Sequence, residues 1–365
     1  MRCWLFFILL CCFSVDVVAD GKDNIDNKEV TPKKKKMGAL KRLIRGFSEI
    51  DTNYIEPQHY NYTVMLQTTS TYDIYSLKGE NGQSVTFSPD VIMKVGPYFG
   101  WRWFFLGYTF DLKSVGFSDR NGKRELDFSV YSSQIGVDFF YRRTGSDYKI
   151  RDAKMGPGID ASELNGVPFD GISVGITGLD MYYIFNHKRF SYPAAFAQST
   201  CQKISCGSLI AGVGYTKNSL ELDYKKLHEI VESKVNSNSV QVDSGLMFRR
   251  VQYYDLSVSC GYAYNWVFAK DFLFCASGAV AVAYKHSHGD MYDNSVLGFN
   301  FNNFNIDGIG RFGLVYNNTQ WYAGFSGIIR SYNYHKSRFS ANNTFGSLNL
   351  YIGCNFGKKK KYKNK

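Results

Sequence analysis

The chain has 365 residues and a formal charge of +11, with 27 Tyr, 29 Phe and 34 Gly but only seven Pro. After its first residues no stretch approaches the roughly 18 consecutive apolar residues that a membrane helix needs, so a helical membrane protein is excluded. Thirteen cations sit in two end segments, Lys33 to Arg45 and Lys358 to Lys365, which leaves a body of about −2 and no basic stripe for nucleic acid.

In chain order, residues 1–19 read as a signal peptide. Arg2 precedes an apolar run from Cys3 to Phe13, and Val17, Val18 and Ala19 form a small-residue cleavage site before Asp20. The run is too short to span a membrane. Residues 20–60 form a basic segment, expected in the periplasm, that contains "KKKKMGALKRLIRGF". There Leu40, Leu43, Ile44 and Phe47 fall on one helical face and Lys41, Arg42 and Arg45 on the other. Such a short amphipathic helix either meets an anionic leaflet, plugs a lumen or packs under the floor of a barrel.

From residue 61 the period changes to two. Phe104, Leu106, Tyr108 and Phe110 alternate with Gly107, Thr109 and Asp111. Tyr131, Ile135, Val137, Phe139 and Tyr141 oppose Ser132, Gln134, Gly136, Asp138 and Arg142. In "YYDLSVSCGYAYNWVF", 253–268, Tyr254, Leu256, Val258, Cys260, Tyr262, Tyr264 and Trp266 oppose Asp255, Ser257, Ser259, Gly261, Ala263 and Asn265. Residues 271–286 and 345–356 behave alike. Strict alternation predicts strands, each with one greasy and one small polar face. From Tyr254 to Tyr264 a strand at ~3.3 Å per residue, tilted by about 40°, rises roughly 25 Å, the height of the apolar band of an outer-membrane barrel. Aromatic residues then fall at both rims. A soluble β protein would carry many Lys and Glu on the face opposite its core, and these sequences do not.

Twelve strands are predicted, near 62–77, 89–99, 103–112, 126–142, 171–185, 189–198, 206–216, 251–266, 271–286, 304–316, 320–335 and 343–356. An even count puts both termini on the periplasmic side. Links at 100–102, 267–270 and 317–319 become periplasmic turns, and 113–125, 217–250, 287–303 and 336–342 outer loops. Two features strain the scheme: a long periplasmic connection at 143–170, and Pro193 inside the sixth strand.

The inward set carries both charges: Lys94, Asp111, Asp138, Arg142, Asp255, Asp307, Arg311 and Arg330. In an open pore they set ion preference; in a closed barrel they pair. "HSHGD" offers His286, His288 and Asp290 to Zn or Cu, but without a fourth partner it reads as a His-rich loop end. No G-x-S-x-G, H-E-x-x-H or P-loop is present, and Ser287 beside His286 faces the opposite way, so no catalytic residue and no cofactor is assigned. Cys201 and Cys206 lie close enough in sequence to pair in an exported compartment, while the odd number of cysteines past the signal argues against a disulfide framework.

The blocks "FSEIDTNYIEPQHYNYTVMLQ" (47–67), "GPYFGWRWFFLGYTFDL" (96–112), "FNHKRFSYPAAFAQS" (185–199) and "GYAYNWVFAKDFLF" (261–274) together resemble an exported bacterial family, domain-of-unknown-function family 4421. The resemblance spans nearly all of the mature chain and implies no activity. The expectation is therefore an all-β chain: an antiparallel transmembrane β-barrel of about twelve strands at 61–357, in the outer membrane, with a basic tail at 358–365. It acts as a narrow channel or as an envelope structural or interaction protein; the alternatives are a barrel enzyme acting on lipid or envelope glycan, or a soluble exported β protein. Its expected partners are the lipid bilayer and, through the tails, anionic lipid, with no nucleic acid; the sequence sets no oligomeric state.

Overall fold

A computed structural model describes residues 50–363, apart from residue 80 and segments 102–103, 108–109, 112–123, 144–146, 236–241, 244–245, 292–298 and 337–338. The signal peptide and the basic helix expected within 33–47 lie outside the described residues. In chain order the elements are β1 (Ile55–Pro57), β2 (Tyr60–Gly79), β3 (Ser84–Pro89), β4 (Ile92–Trp101), β5 (Phe104–Gly107), β6 (Phe110–Asp111), β7 (Arg124–Tyr131), β8 (Ile135–Arg143) and β9 (Tyr148–Lys154). They continue with β10 (Ile172–Ile184), α1 (Tyr192–Phe196), β11 (Thr200–Gln202), β12 (Cys206–Leu222), α2 (Tyr224–Lys234), β13 (Phe248–Ala269), β14 (Phe272–Met291), β15 (Phe299–Asn317), β16 (Trp321–Lys336) and β17 (Phe339–Lys358).

The main sheet follows the path β5-β4-β2-β17-β16-β15-β14-β13-β12-β10-β8-β7, twelve strands in antiparallel order, with β6 continuing β5 along β4. The first and last strands pair, β17 with β2 from Phe339↔Gly79 to Lys358↔Tyr60, so the barrel wraps through its termini. Among the described residues β5 and β6 do not pair with β7.

The two faces separate as the alternation requires. Leu256, Val258, Tyr262, Tyr264 and Trp266 of β13 point out, with Val258 66% exposed, whereas Asp255, Ala263 and Asn265 are buried. The same outward belt runs through Val64 and Leu66, Leu179 and Met181, Val280 and Val282, Ile306 and Leu314, and Leu350 and Ile352. Soluble monomers rarely expose contiguous apolar patches beyond a few hundred Å², so this is the surface of a barrel solvated by lipid. Aromatic rings gather at the end that holds the short turns: Phe268 packs on Phe272 at 5.7 Å, Phe272 on Tyr316 at 5.0 Å, and Tyr62 on Phe356 at 5.4 Å. At the opposite, loop end Tyr284 meets Phe304 at 5.2 Å.

Two of the expected strands are corrected. Residues 126–142 are not one strand but β7 and β8, turned at Ser132, whose hydroxyl accepts from Ile135 N at 2.8 Å. The turn reverses the side-chain parity, so Tyr131, expected outward, packs inside against Tyr192. Residues 189–198 are not a strand but contain helix α1, with Ser191 as N-cap and Pro193 in its first turn. The two changes cancel in the count. They also move 143–170 to the loop end, away from the termini, which removes the long connection from the turn end.

The loop end is capped by an apolar core. β3 pairs with both β2 and β9, and α2 buries Leu227 and Val231, one helical turn apart, among Leu77, Phe87, Ile150 and Phe248. Asp223 caps α2 by accepting from Lys226 N at 3.2 Å.

Candidate functional site: a plugged lumen around a buried charge network

Between β10 and β12 the chain does not turn tightly. Residues 185–205 fold into the barrel as a plug, and β11 at its end pairs with β1. Phe190, Tyr192, Ala194 and Ala195 are buried there. Four strands hold the plug. Asn265 Nδ2 of β13 donates to Ser191 O at 2.8 Å and to Gln202 Oε1 at 3.0 Å. Tyr192 Oη and Ser277 Oγ of β14 are 2.5 Å apart. Asn317 of β15 donates to Gln198 O at 3.5 Å, and Gln198 Nε2 donates to Tyr351 Oη of β17 at 2.7 Å.

Above the plug lies a layer of charges. Asp138 accepts from Ser129 Oγ at 2.6 Å and from Arg311 Nη2, and Arg330 Nη2 is 3.5 Å away. Lys285, fully buried, donates to Asp307 Oδ1 at 3.1 Å and to Asn333 O at 2.6 Å, with Asp255 Oδ2 at 3.7 Å. Asp255 Oδ2 also accepts from Thr216 Oγ1 at 2.7 Å.

Inward glycines make room for this layer. A Cβ at Gly136 would lie 2.1 Å from the Tyr182 ring, and one at Gly178 would lie 2.1 Å from that of Phe140. The rings so admitted carry the guanidiniums: Arg311 stands 5.0 Å over Tyr182 and Arg330 4.7 Å over Phe140. Arg142 lies 4.8 Å over Phe345. Cation–π contacts strengthen when water is excluded.

Of the inward residues read from the sequence, Asp138, Arg142, Asp255, Asp307, Arg311 and Arg330 are brought together inside the barrel, and Lys94 is half-buried on the inner face of β4. The Asp111 side chain lies outside the described residues; its backbone is opposite Lys94. Sequence reasoning missed Asp180, 3.9 Å from Arg330, and Lys285. Both continue inward sets by parity: Lys285 follows Ala281 and Ala283, and Asp180 follows Ile176 and Gly178. His286 is exposed on the opposite face, and the side chains of His288 and Asp290 lie outside the described residues. Among the described residues no group of His, Cys, Asp and Glu could hold a metal. Cys201 and Cys206 are both free thiols; burial pushes the Cys201 thiol up to about 12.

No curated protein sequence matches the chain. Among solved structures it is similar to the outer membrane protease OmpT of Escherichia coli, at 9% identity and a TM-score of 0.38, over 84% of this chain and 100% of that one. It is also similar to the translocator domain of autotransporter NalP of Neisseria meningitidis, at 9% identity and 0.30, over 87% and 93%. The β domain of the Bordetella autotransporter BrkA is similar at 12% identity and 0.27, over 80% and 99%. At the level of sequence the match is to a family model, described as a domain of unknown function, DUF4421, over residues 49–356, and the chain belongs to that family.

Proposed function

We propose that this protein is an outer-membrane barrel sealed by its own chain, serving the envelope as a structural or binding element rather than as a channel for free diffusion. The plug carries this reading. A lumen meant for ions needs a continuous wet path, and here the turn end is filled by Phe190, Tyr192 and Ala195, the loop end by an apolar core, and the layer between by charges paired with one another. The lipid belt suits the outer membrane, where spanning chains are closed barrels.

Apart from the plug at 185–205, the long connections gather at one end and the basic C-terminus lies at the other, so the turn end is assigned to the periplasm, with Lys358, Lys360 and Lys361 exposed toward anionic headgroups or polymers. Planar-bilayer recording tests the seal. The intact protein should show no steady conductance, and a variant in which residues 190–198 are replaced by a Gly-Ser link should conduct in discrete steps. Stable open-state current through the intact protein would sink the sealed-barrel reading.

A further inference from the structure

Beside the plug, residues of β2, β4, β7, β8, β16 and β17 line a half-open chamber of about 470 Å³, within the roughly 300–1,000 Å³ range of small-molecule sites. Its walls are uneven in charge. Arg311, Arg330 and Lys94 line it, and among the described lining residues there is no carboxylate. Another part of the wall is a ladder of neutral polar groups. Gln67 Nε2 donates to Thr69 Oγ1 at 2.9 Å and to Asn349 Oδ1 at 3.0 Å, and Thr69 Oγ1 donates to the same Asn349 oxygen at 2.8 Å.

The two guanidiniums are only partly satisfied by protein. They share Asp138, and the Nε–H of each has no hydrogen-bond partner among the described residues, although both residues are at least nine-tenths buried. Arg330 Nε stands 3.9 Å from Asp180 Oδ2, beyond hydrogen-bond reach. Buried donors require acceptors, and the guanidinium fork matches the oxygens of a carboxylate or phosphate.

We propose that this chamber binds a small sugar acid, its carboxylate or phosphate meeting Arg311 and Arg330 and its hydroxylated ring meeting the Gln67–Thr69–Asn349 ladder. Entry is from the turn end. Ala197 and Gln198 line both the chamber and a cleft of about 30 Å³ beside the start of β2, so the C-terminal end of the plug is the partition. Gln198 holds a φ of +51°, a left-handed backbone that a non-glycine residue keeps only where its surroundings hold it. Its side chain is tied to Tyr351 Oη and Ala195 O. The inference goes beyond the sealed-barrel reading and stands whether or not the barrel conducts.

The full chain in lipid nanodiscs is titrated calorimetrically with glucuronate, glucose 6-phosphate, inorganic phosphate and glucose. Saturable binding of one or both sugar acids, tighter than that of phosphate or glucose, is expected, and the tighter acid identifies the anionic group. Arg330→Gln should weaken it by about tenfold or more. Because Arg330 also pairs with Asp138, Ser347→Phe serves as a second variant: it fills the chamber, leaves every charge in place and should abolish binding. Leu350→Ala, on the lipid side, should change nothing. The proposal is overturned if the folded protein binds neither acid, if both chamber variants bind as the parent does, or if glucose or phosphate binds as tightly as the acids.

Discussion

Ser257 and Val258 are neighbours in sequence, yet Val258 stands in the lipid belt while Ser257 faces inward, where a Cβ added at Gly214 would come within 2.6 Å of its hydroxyl. Val258→Arg puts a charge near the bilayer midplane and should cost about 2–4 kcal/mol, whereas Val258→Ala should be nearly neutral; urea-dependent folding into liposomes measures both. Ser257→Arg should also be damaging, because that part of the interior is packed rather than wet, while Ser257→Ala is tolerated. If Val258→Arg folds as well as Val258→Ala, the belt assignment is wrong. Lys285 gives a second residue-scale prediction. Removing its charge with Lys285→Met leaves Asp255 and Asp307 buried together and should cost about 3–5 kcal/mol. Adding Asp255→Asn and Asp307→Asn should restore most of that stability, since a buried ion pair replaced as a whole by neutral groups is often close to neutral. A triple variant no more stable than Lys285→Met would show that the three do not act as one charge unit.

At the scale of elements, the sheet that caps the loop end is tied on its exposed side by Asp90, whose carboxylate oxygens lie 2.6 Å from Lys149 Nζ and 2.6 Å from Arg151 Nη2 on β9. Hydrogen bonds from Lys149 and then Arg151 hold the Asp90 carboxyl below its ordinary value of 3.8. A folded value below the unfolded one means that the tie is fully present above 3.8 and is lost as pH falls through the lowered folded value. The protection factors of the β9 amides should therefore be flat down to that point and fall below it, and Asp90→Asn should remove the step. The pair is exposed, so the effect is local and should not move the global melting temperature. A step that persists in Asp90→Asn would assign it to another group.

Across the whole molecule, an even path of twelve strands brings the start of β2 and the end of β17 to one end, with the plug, while α2, β3 and β9 lie at the other. The proposed periplasmic position of the termini makes a labelling prediction. With the native cysteines replaced, Lys225→Cys in α2 should react with a membrane-impermeant thiol reagent on whole cells, and Lys361→Cys should react only after the outer membrane is opened. Equal labelling of both on intact cells would reject the orientation. The exposed lysines near Lys361 act through screened charge, so association of the protein with anionic vesicles by this end should weaken as added salt shortens the Debye length below about 8 Å.

The alternation of Tyr254 through Trp266 with Asp255 through Asn265 was legible residue by residue, because the pleat that sends side chains to opposite faces is a local property of the backbone. Belt and inward charges derive from it; the strand number agrees because the two misread strands cancel. The break between β7 and β8 was hidden, since its turn, Ser132–Gln134, has no Gly or Pro and the alternation reads straight through. The plug was hidden for a related reason: Phe190, Tyr192, Ala194 and Phe196 repeat every second residue as a strand would, and only Ser191 and Pro193 mark the helix start. Which charge meets which was beyond the sequence altogether. Asp138 and Arg311 are 173 residues apart, and their meeting depends on barrel closure, strand register and the glycines that admit Tyr182 and Phe140. One-dimensional periodicity decides which way a side chain points; only the folded barrel decides what it finds there, because contacts across a lumen are set by the tilt and register of strands that are not neighbours in the chain.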